Sequence, residues 1–304
     1  MPAITVKNLT KTYDKGKITA VDNVSFVVNK GECFGLIGPD GAGKTTLFRI
    51  LTTLLLPDSG EASVDGLDIL KEFKKIRSTV GYMPGKFSLY QDLTIEENLN
   101  FFATVFNTTV EENFSLIKDI YIQIEKFKTR RAGKLSGGMK QKLALCCALI
   151  HKPTTLFLDE PTTGVDPVSR KEFWDMLKRL KEEGITILVS TPYMDEAKRC
   201  DRIALIQNGK ILSIDTPAAI INSFSEYLYA IKANKMYPLL KALEKYPEVK
   251  SSYAFGEVAH AVFDHPVEEA NLLSFLESNG LRQIEITVVE PTIEDAFIKL
   301  LKRS

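Results

Sequence analysis

Apolar residues near the start of the chain occur in short runs, and longer apolar runs follow them. Residues 4–6 and 24–28 have the composition of strands, with a turn at 29–31 between them and the next run. Residues 32–37, which are apolar after Glu32, have the pattern of a buried strand, and residues 45–55 have the pattern of an apolar helix. We therefore predict a β-rich N-terminal layer followed by the first strand and helix of an α/β core.

Helical periodicity begins at residue 93 and continues to about residue 128. Thr94 and Glu97 have the spacing of a capping box, and apolar side chains recur at helical intervals at Phe114, Ile117, Ile120, Ile124 and Phe127. This pattern predicts a helical insertion. From residue 138 to 206, helices alternate with short apolar strands at 154–158 and 185–189, which indicates a largely parallel sheet.

A second, smaller unit is predicted after a change in composition at 215–217. Its pattern reads strand, helix, two strands, helix, strand and helix, at residues 226–232, 236–246, 249–255, 258–263, 267–279, 282–289 and 292–302. This order predicts an α+β sandwich of ferredoxin-like type with one added helix. The apolar stripe of the last helix either packs on its own domain or docks on a partner.

The composition narrows the class of protein. The chain has 304 residues, 44% of them hydrophobic, which is enough for one large domain and one small one. Lys+Arg and Asp+Glu are equal at 39 each, so there is no overall positive field and we expect no nucleic-acid partner. The first residues lack the pattern of a signal peptide, and no apolar run approaches the roughly 18 residues of a membrane helix, so we expect no such segments. The spacing of Cys33, Cys146, Cys147 and Cys200 fits neither a metal site nor a disulfide framework, which predicts reduced core thiols.

A phosphate-binding loop of the form G-x-x-x-x-G-K-[ST] occupies residues 38–45. Glycines let successive backbone N–H groups surround a phosphate, and the helix that follows directs its positive end at it. We expect Lys44 to neutralise phosphate charge and Thr45 to offer its hydroxyl to Mg²⁺. The predicted nucleotide-binding residues are Tyr13, Gly38, Pro39, Asp40, Gly41, Ala42, Gly43, Lys44, Thr45 and Thr46.

Two acidic residues follow the apolar strand at 154–158. Asp159 is a candidate Mg²⁺ ligand beside the phosphate loop, and Glu160 is the candidate general base for an attacking water. Acidic residues at strand ends are common, so this pair alone would be weak evidence for a nucleotide site. It becomes informative because a phosphate loop lies upstream.

The stretch LSGGMKQK at residues 135–142 opens a helix in which Ser136, Gly137 and Gly138 would offer a hydroxyl and free N–H groups to a phosphate. Together with the phosphate loop and the acidic pair, it makes residues 4–222 resemble the nucleotide-binding subunit of an ATP-binding cassette (ABC) transporter. The resemblance implies a P-loop NTPase cassette at 1–222, with a helical subdomain at about 86–140, and a small α+β domain at 223–304. It also implies ATP and Mg²⁺ as cofactors.

The same resemblance assigns further expected roles. Tyr13 would stack on adenine, and the three signature residues would contact ATP held by the opposite subunit of a head-to-tail dimer. Residues 164–167 would touch the partner cassette, and residues 87–94 would contact the coupling helix of a membrane-spanning permease subunit. Residues 291–297 resemble the tail of ABC-2 type exporter ATPases. The implied protein is a peripheral ATPase at the cytoplasmic face of the cell membrane, in a homodimer or a heterodimer.

The chain departs from the family pattern at two positions that bear on catalysis. Gly85 stands where the family has a glutamine that reaches toward Mg²⁺ and water, and Pro192 stands where it has a histidine that contacts the γ-phosphate. Losing a donor of this kind typically costs about 10²–10³ in rate, so the site is hypothesised to bind ATP but to turn it over slowly. The structural alternative is that Pro192 occupies the first position of a helix capped by Thr191.

Two other functions remain open. The chain is either a hydrolysing subunit or a regulatory subunit that binds ATP without hydrolysing it. Glu160 favours the first, whereas Gly85 and Pro192 favour the second. An ABC protein acting on ribosomes or DNA is disfavoured, because the chain has one cassette, no long heptad repeat and no basic arm.

Overall fold

The computed structural model describes residues 2–302, in two compact units, of which the first ends at Pro217 and the second begins at Ala218. The elements of the first unit are β1 (Pro2–Tyr13), β2 (Ile18–Asn29), β3 (Cys33–Ile37), α1 (Lys44–Leu51), β4 (Ser59–Val64), β5 (Leu67–Asp68), α2 (Phe73–Thr79), β6 (Val80–Met83), α3 (Ile95–Val105), α4 (Phe114–Glu125), α5 (Gly137–Leu149), β7 (Thr155–Asp159), α6 (Pro167–Glu182), β8 (Thr186–Thr191), β9 (Arg202–Gln207) and β10 (Lys210–Asp215). Helix α7 (Pro217–Asn222) begins at the last residue of the first unit and continues into the second.

The predicted β-rich N-terminal layer is confirmed as an antiparallel sheet of strand order β2-β1-β4-β5. Val24, Phe26 and Val28 of β2 are buried while the residues between them are exposed, so one face of the sheet covers the core. Both β1 and β2 are longer than the segments that the sequence pattern marks. Register shifts along their pairing interrupt the two-residue alternation, so only part of each strand is visible in the sequence.

A six-stranded sheet of order β10-β9-β3-β8-β7-β6 forms the centre of the first unit. Strands β6, β7, β8, β3 and β9 are parallel, and β10 is an antiparallel edge. Every residue of β3, β7 and β8 is buried, as their continuous apolar runs predict. Because parallel strands end at one edge, the chain segments that follow Ile37, Asp159 and Thr191 all leave the sheet on the same side.

Helix α1 ends at Leu51, earlier than the predicted helix at 45–55. Thr53 adopts a left-handed φ of 62°, and the N–H groups of Leu54 and Leu55 donate to the carbonyl of Arg49 at 2.7 and 3.0 Å. These bonds close the helix end, although the apolar pattern continues past it.

The helical insertion is confirmed, with α3, α4 and the start of α5. Thr94 caps α3 in the predicted capping box with Glu97. Asn98 is fully buried and binds the backbone of Tyr90 through both its amide oxygen and its amide nitrogen, which fixes the segment before α3. No helix among residues 2–302 is long and apolar enough to cross a membrane. All four cysteines are buried free thiols, as predicted.

The second unit contains β11 (Tyr227–Lys232), α8 (Met236–Leu243), β12 (Val249–Phe255), β13 (Val258–Phe263), α9 (Glu269–Ser278), β14 (Glu285–Val288) and α10 (Ile293–Leu301). Its antiparallel sheet has the order β12-β13-β11-β14, the split arrangement of a ferredoxin-like unit. On α10, Ile293, Ala296 and Phe297 of the apolar stripe are buried.

Candidate nucleotide-binding site

The phosphate loop runs from the end of β3 to the start of α1 and lies against the backbone of two neighbouring strands. A Cβ added to Gly38 would lie 2.1 Å from the carbonyl oxygen of Ile206, and one added to Gly43 would lie 2.1 Å from that of Ala20. Gly43 also has a φ of +103°, which side chains rarely adopt. The loop therefore needs glycine at both positions. Asp40, in the middle of the loop, is exposed.

Lys44 is the first residue of α1 and only 3% of its surface is exposed. Its Nζ donates to the carbonyl oxygens of Gly38 and Pro39 at 2.8 and 3.0 Å, so the loop curls around the ammonium group. The same Nζ lies 3.0 Å from Oε1 of Glu160. The structure thus joins the loop lysine and the candidate general base in an ion pair at the edge of the sheet.

Ser190 holds the acidic pair in place. Its Oγ donates to Oδ1 of Asp159 at 2.6 Å, and it accepts from the backbone N–H of Glu160 at 3.0 Å. Glu160 has a φ of 51°, an uncommon conformation for a residue with a side chain, which surrounding contacts must stabilise. Sequence reasoning missed Ser190, because only the parallel register of β7 and β8 places it beside Asp159.

The predicted metal ligands lie on neighbouring elements. Thr45 is in the first turn of α1, which packs against β7, the strand that ends with Asp159. Among residues 2–302, no three or more His, Cys, Asp and Glu side chains cluster so as to hold a metal ion on their own. Asp159 and Thr45 supply a carboxylate and a hydroxyl, the hard oxygen ligands that suit Mg²⁺ when phosphate oxygens complete its shell. Burial and the nearby charge of Asp159 raise the pKa of Tyr82 to about 12, so this neighbour stays neutral.

Tyr13 ends β1 at the side of the loop helix. Its Oη is 3.3 Å from Oγ1 of Thr46, and 37% of the residue is exposed. An exposed aromatic ring held beside the phosphate loop is a suitable platform for a nucleobase.

The two departures from the family pattern have different surroundings. A Cβ on Gly85 would lie 3.1 Å from the carbonyl oxygen of Asp159 and 3.8 Å from its Oδ2, so this position does face the candidate metal ligand. The prediction that Pro192 begins a helix capped by Thr191 is wrong. A short 3₁₀ helix starts only at Met194, and Oγ1 of Thr191 instead accepts from the N–H of Tyr193 at 3.1 Å. The hydroxyl therefore closes a tight turn around Pro192.

The signature residues open α5, as predicted, with Ser136 as the N-cap. A Cβ on Gly138 would lie 2.7 Å from Oγ of Ser169, and one on Gly137 would lie 3.3 Å from the carbonyl oxygen of Gly164. Among the described residues, the atoms nearest to these two glycines belong to residues 164–169 and not to the phosphate loop. The small residues let the start of α5 lie close to the start of α6 and the loop before it.

Three features define a P-loop nucleotide-binding protein of the cassette type. They are a phosphate loop between a buried parallel strand and a helix, an Asp-Glu pair at the end of a strand two places away in the same sheet, and a helical insertion that ends in a Ser-Gly-Gly helix start. The family model described as "ABC transporter" matches residues 21–163. The chain belongs to the ATP-binding proteins of ABC transporters, as the following relatives show.

The chain is 40% identical over 303 residues to the probable multidrug ABC transporter ATP-binding protein YbhF of Escherichia coli, covering 98% of this chain and 52% of that protein. It thus spans about half the length of that relative. It is 34% identical over 308 residues to the Nod factor export ATP-binding protein I of Burkholderia orbicola, covering 99% of this chain and 97% of that protein. A solved dimeric, post-hydrolysis structure of the ATP-binding cassette MJ0796 with ADP and Pi superposes with a TM-score of 0.64, at 29% identity over 70% of this chain and 98% of that one.

Proposed function

We propose that this protein is the ATP-binding and hydrolysing subunit of an ABC-2 type exporter, in which closure of two cassettes on ATP drives separate membrane subunits. The observation that carries the proposal is the convergence of Lys44, Asp159 and Glu160 at one edge of the sheet. Export is supported by relatives named for multidrug transport and Nod factor export.

The residues of the loop fit a nucleoside triphosphate with Mg²⁺. Bound ATP supplies the phosphoanhydride bond, and Mg²⁺ neutralises phosphate charge. Thr45 and Asp159 are the protein ligands proposed for the metal, and Tyr13 is the platform proposed for adenine. Lys44 exchanges its ion pair with Glu160 for phosphate oxygens, which leaves the carboxylate of Glu160 free to accept a proton from water.

The proposed partners are a second cassette and a permease. Ser136, Gly137 and Gly138 would contact ATP on the opposite cassette, and residues 164–167 would lie at that interface. Residues 87–89 help to line a groove of about 190 Å³, which is large enough for one or two apolar side chains of a membrane-subunit helix. Its apolar lining includes Tyr82, Met83, Phe87, Leu89, Phe102 and Phe106. The proposed location is the cytoplasmic face of the cell membrane.

Slow turnover at the chain's own site is part of the proposal. Gly85 brings no side chain to Asp159, and Pro192 offers neither a polar group nor an N–H. A partner cassette with the usual glutamine and histidine would then do most of the hydrolysis, using the signature of this chain. This predicts a heteromeric transporter with unequal sites.

The test restores both side chains with Gly85→Gln and Pro192→His in the complex with the membrane subunits. Hydrolysis at the partner cassette is blocked by the change that corresponds to Glu160→Gln, so that only this chain's site is measured. We then expect ATPase activity to rise at least tenfold, because losing such a donor typically costs about 10²–10³ in rate. The matched control, Gly85→Ala with Pro192→Ala, changes the backbone preferences but adds no donor and should give no rise. Unchanged activity of the restored variant would refute slow turnover.

The second candidate, a regulatory subunit that binds ATP without hydrolysis, is separated by Glu160→Gln. If the site hydrolyses ATP, this change removes its general base and its ATPase activity falls. If the site only binds ATP, the change leaves the ATPase activity of the complex as it was.

A further inference from the structure

Glu196 is a buried carboxylate outside the set of residues proposed to contact nucleotide. It is 4% exposed and lies in the short 3₁₀ helix after β8. Its Oε1 accepts from Oγ1 of Thr162 at 2.8 Å and from NH2 of Arg170 at 3.0 Å. Its Oε2 accepts from Oγ1 of Thr191 at 2.6 Å. One side chain therefore ties together three segments of the first unit.

Two of these segments, those of Thr162 and Thr191, lead directly to the candidate site. Thr162 lies two residues after Glu160 in a tight turn, in which the N–H of Thr163 donates to the carbonyl of Glu160 at 3.2 Å. The carbonyl of Thr191 accepts from the N–H of Gly38, the first residue of the phosphate loop, at 3.3 Å.

The backbone conformation of Glu160 depends on the hydrogen bonds on either side of it. Its left-handed φ is costly for a residue with a side chain, and such a conformation persists only where neighbouring contacts determine it. On the N-terminal side of this residue, the backbone N–H of Glu160 donates to Oγ of Ser190. Thr162, held by Glu196, fixes the turn on the C-terminal side.

We infer that Glu196 is a positioning residue for ATP hydrolysis, which sets the turn around Pro192 and, through Thr162, the orientation of Glu160. The inference rests on the proposed ATPase function. The hydroxyl of Thr191 accepts from the N–H of Tyr193 across Pro192 and donates to Glu196, so the Thr191–Glu196 bond anchors this turn. The carboxylate acts through Thr162 and Thr191 rather than on the nucleotide.

The experiment compares steady-state ATPase kinetics of the assembled complex with parent, Thr162→Val, Thr162→Ser and Glu196→Gln chains. Hydrolysis at the partner cassette is blocked by the change that corresponds to Glu160→Gln, so that the measured rate is that of this chain's own site. Thr162→Val removes one hydrogen bond to Glu196, keeps the side-chain shape and leaves the Arg170–Glu196 pair intact. We expect kcat to fall about tenfold, with KM for ATP within a factor of two, because the lost bond orients the base without touching ATP. Thr162→Ser retains the hydroxyl and should restore kcat.

Thr186→Val is the matched structural control. Thr186 is a buried threonine at the opposite end of β8, and its Oγ1 accepts from the N–H of Gly31 at 3.0 Å. This variant should lose similar thermal stability but keep kcat. If Thr162→Val lowers kcat no more than Thr186→Val does, or if KM rises in parallel, the positioning role is refuted.

A second readout separates this inference from the proposed function. In hydrogen exchange of the full chain without nucleotide, Thr162→Val and Glu196→Gln should speed exchange of the amides at 160–166, while β3 keeps its protection. Unchanged exchange at 160–166 overturns the inference whether or not the parent hydrolyses ATP. Absence of turnover in the parent complex, with accelerated exchange in the variants, instead overturns the hydrolytic function and supports the positioning of Glu160.

Discussion

Asp295 connects the start of α10 to β12 and β13 in the second unit, and its replacement tests how that unit is stabilised. Its Oδ1 accepts from Oη of Tyr253 at 2.7 Å and from Nδ1 of His260 at 2.6 Å. Its Oδ2 accepts from the N–H and the hydroxyl of Thr292 at 2.7 and 2.6 Å. Burial disfavours the charge, but the hydrogen bonds from His260, Thr292 and Tyr253 outweigh it and hold the pKa of Asp295 at about 2.

Asp295→Asn keeps the shape of the side chain but has one acceptor oxygen where the carboxylate has two. Its NH₂ group must then face one of the two pairs of donors. A pKa that falls from 3.8 to about 2 corresponds to about 2 kcal/mol of stability at neutral pH, at about 1.4 kcal/mol per pH unit. Because the pKa is lower in the folded state, this contribution is present above about pH 5 and is lost as pH falls toward 2.

The assay is hydrogen exchange of the β12 and β13 amides in the full chain, which gives the free energy of opening of the second unit. We expect Asp295→Asn to lower it by about 2 kcal/mol at pH 7 and by about 1 kcal/mol at pH 3, where the parent's carboxylate takes up a proton on unfolding. Fluorescence of Trp174, the single tryptophan, which lies on α6 of the first unit, should be unchanged. The control Asp264→Asn removes an exposed partner of Lys250 and should cost little.

An equal difference between parent and Asp295→Asn at pH 3 and pH 7 would refute the electrostatic reasoning. No difference at pH 7 would show that the four hydrogen bonds contribute nothing to the stability of the unit.

Two further predictions concern the nucleotide site. Ser190→Ala removes a hydrogen bond to buried Asp159, and such a bond to a charged acceptor is worth about 1.5–3 kcal/mol. We therefore expect Mg²⁺-dependent ATP affinity, measured by titration with and without the metal, to fall at least tenfold. An equal loss without Mg²⁺ would count against Asp159 as a metal ligand. Gly43→Ala should abolish ATP binding, because its Cβ would overlap the carbonyl of Ala20. Gly41 is also at positive φ, but a Cβ there would have no atom within 4 Å, so Gly41→Ala should bind ATP within about tenfold of the parent in the same titration. Equal losses of affinity would show that backbone strain, and not the clash, is decisive.

The phosphate loop, the signature and the acidic pair were predictable because their chemistry is local. A loop that presents backbone N–H groups needs glycine at set positions, and a helix start that offers a hydroxyl needs a residue such as Ser136. Fully buried parallel strands also leave continuous apolar runs, so β3, β7 and β8 could be located to within a few residues. The end of α1 could not, since the apolar pattern continues past the closing bonds to Arg49.

The sequence by itself determined the fold class and the residues whose spacing forms a motif. Only the tertiary structure decided how these residues are held. Ser190 reaches Asp159 across 31 positions of sequence, and Glu196 gathers Thr162 and Thr191 from separate segments. In the sequence these are ordinary polar residues near strand ends. Their importance arises from strand register and burial. A carboxylate that is buried away from water needs hydrogen-bond donors, and the packing of distant segments decides which donors surround it.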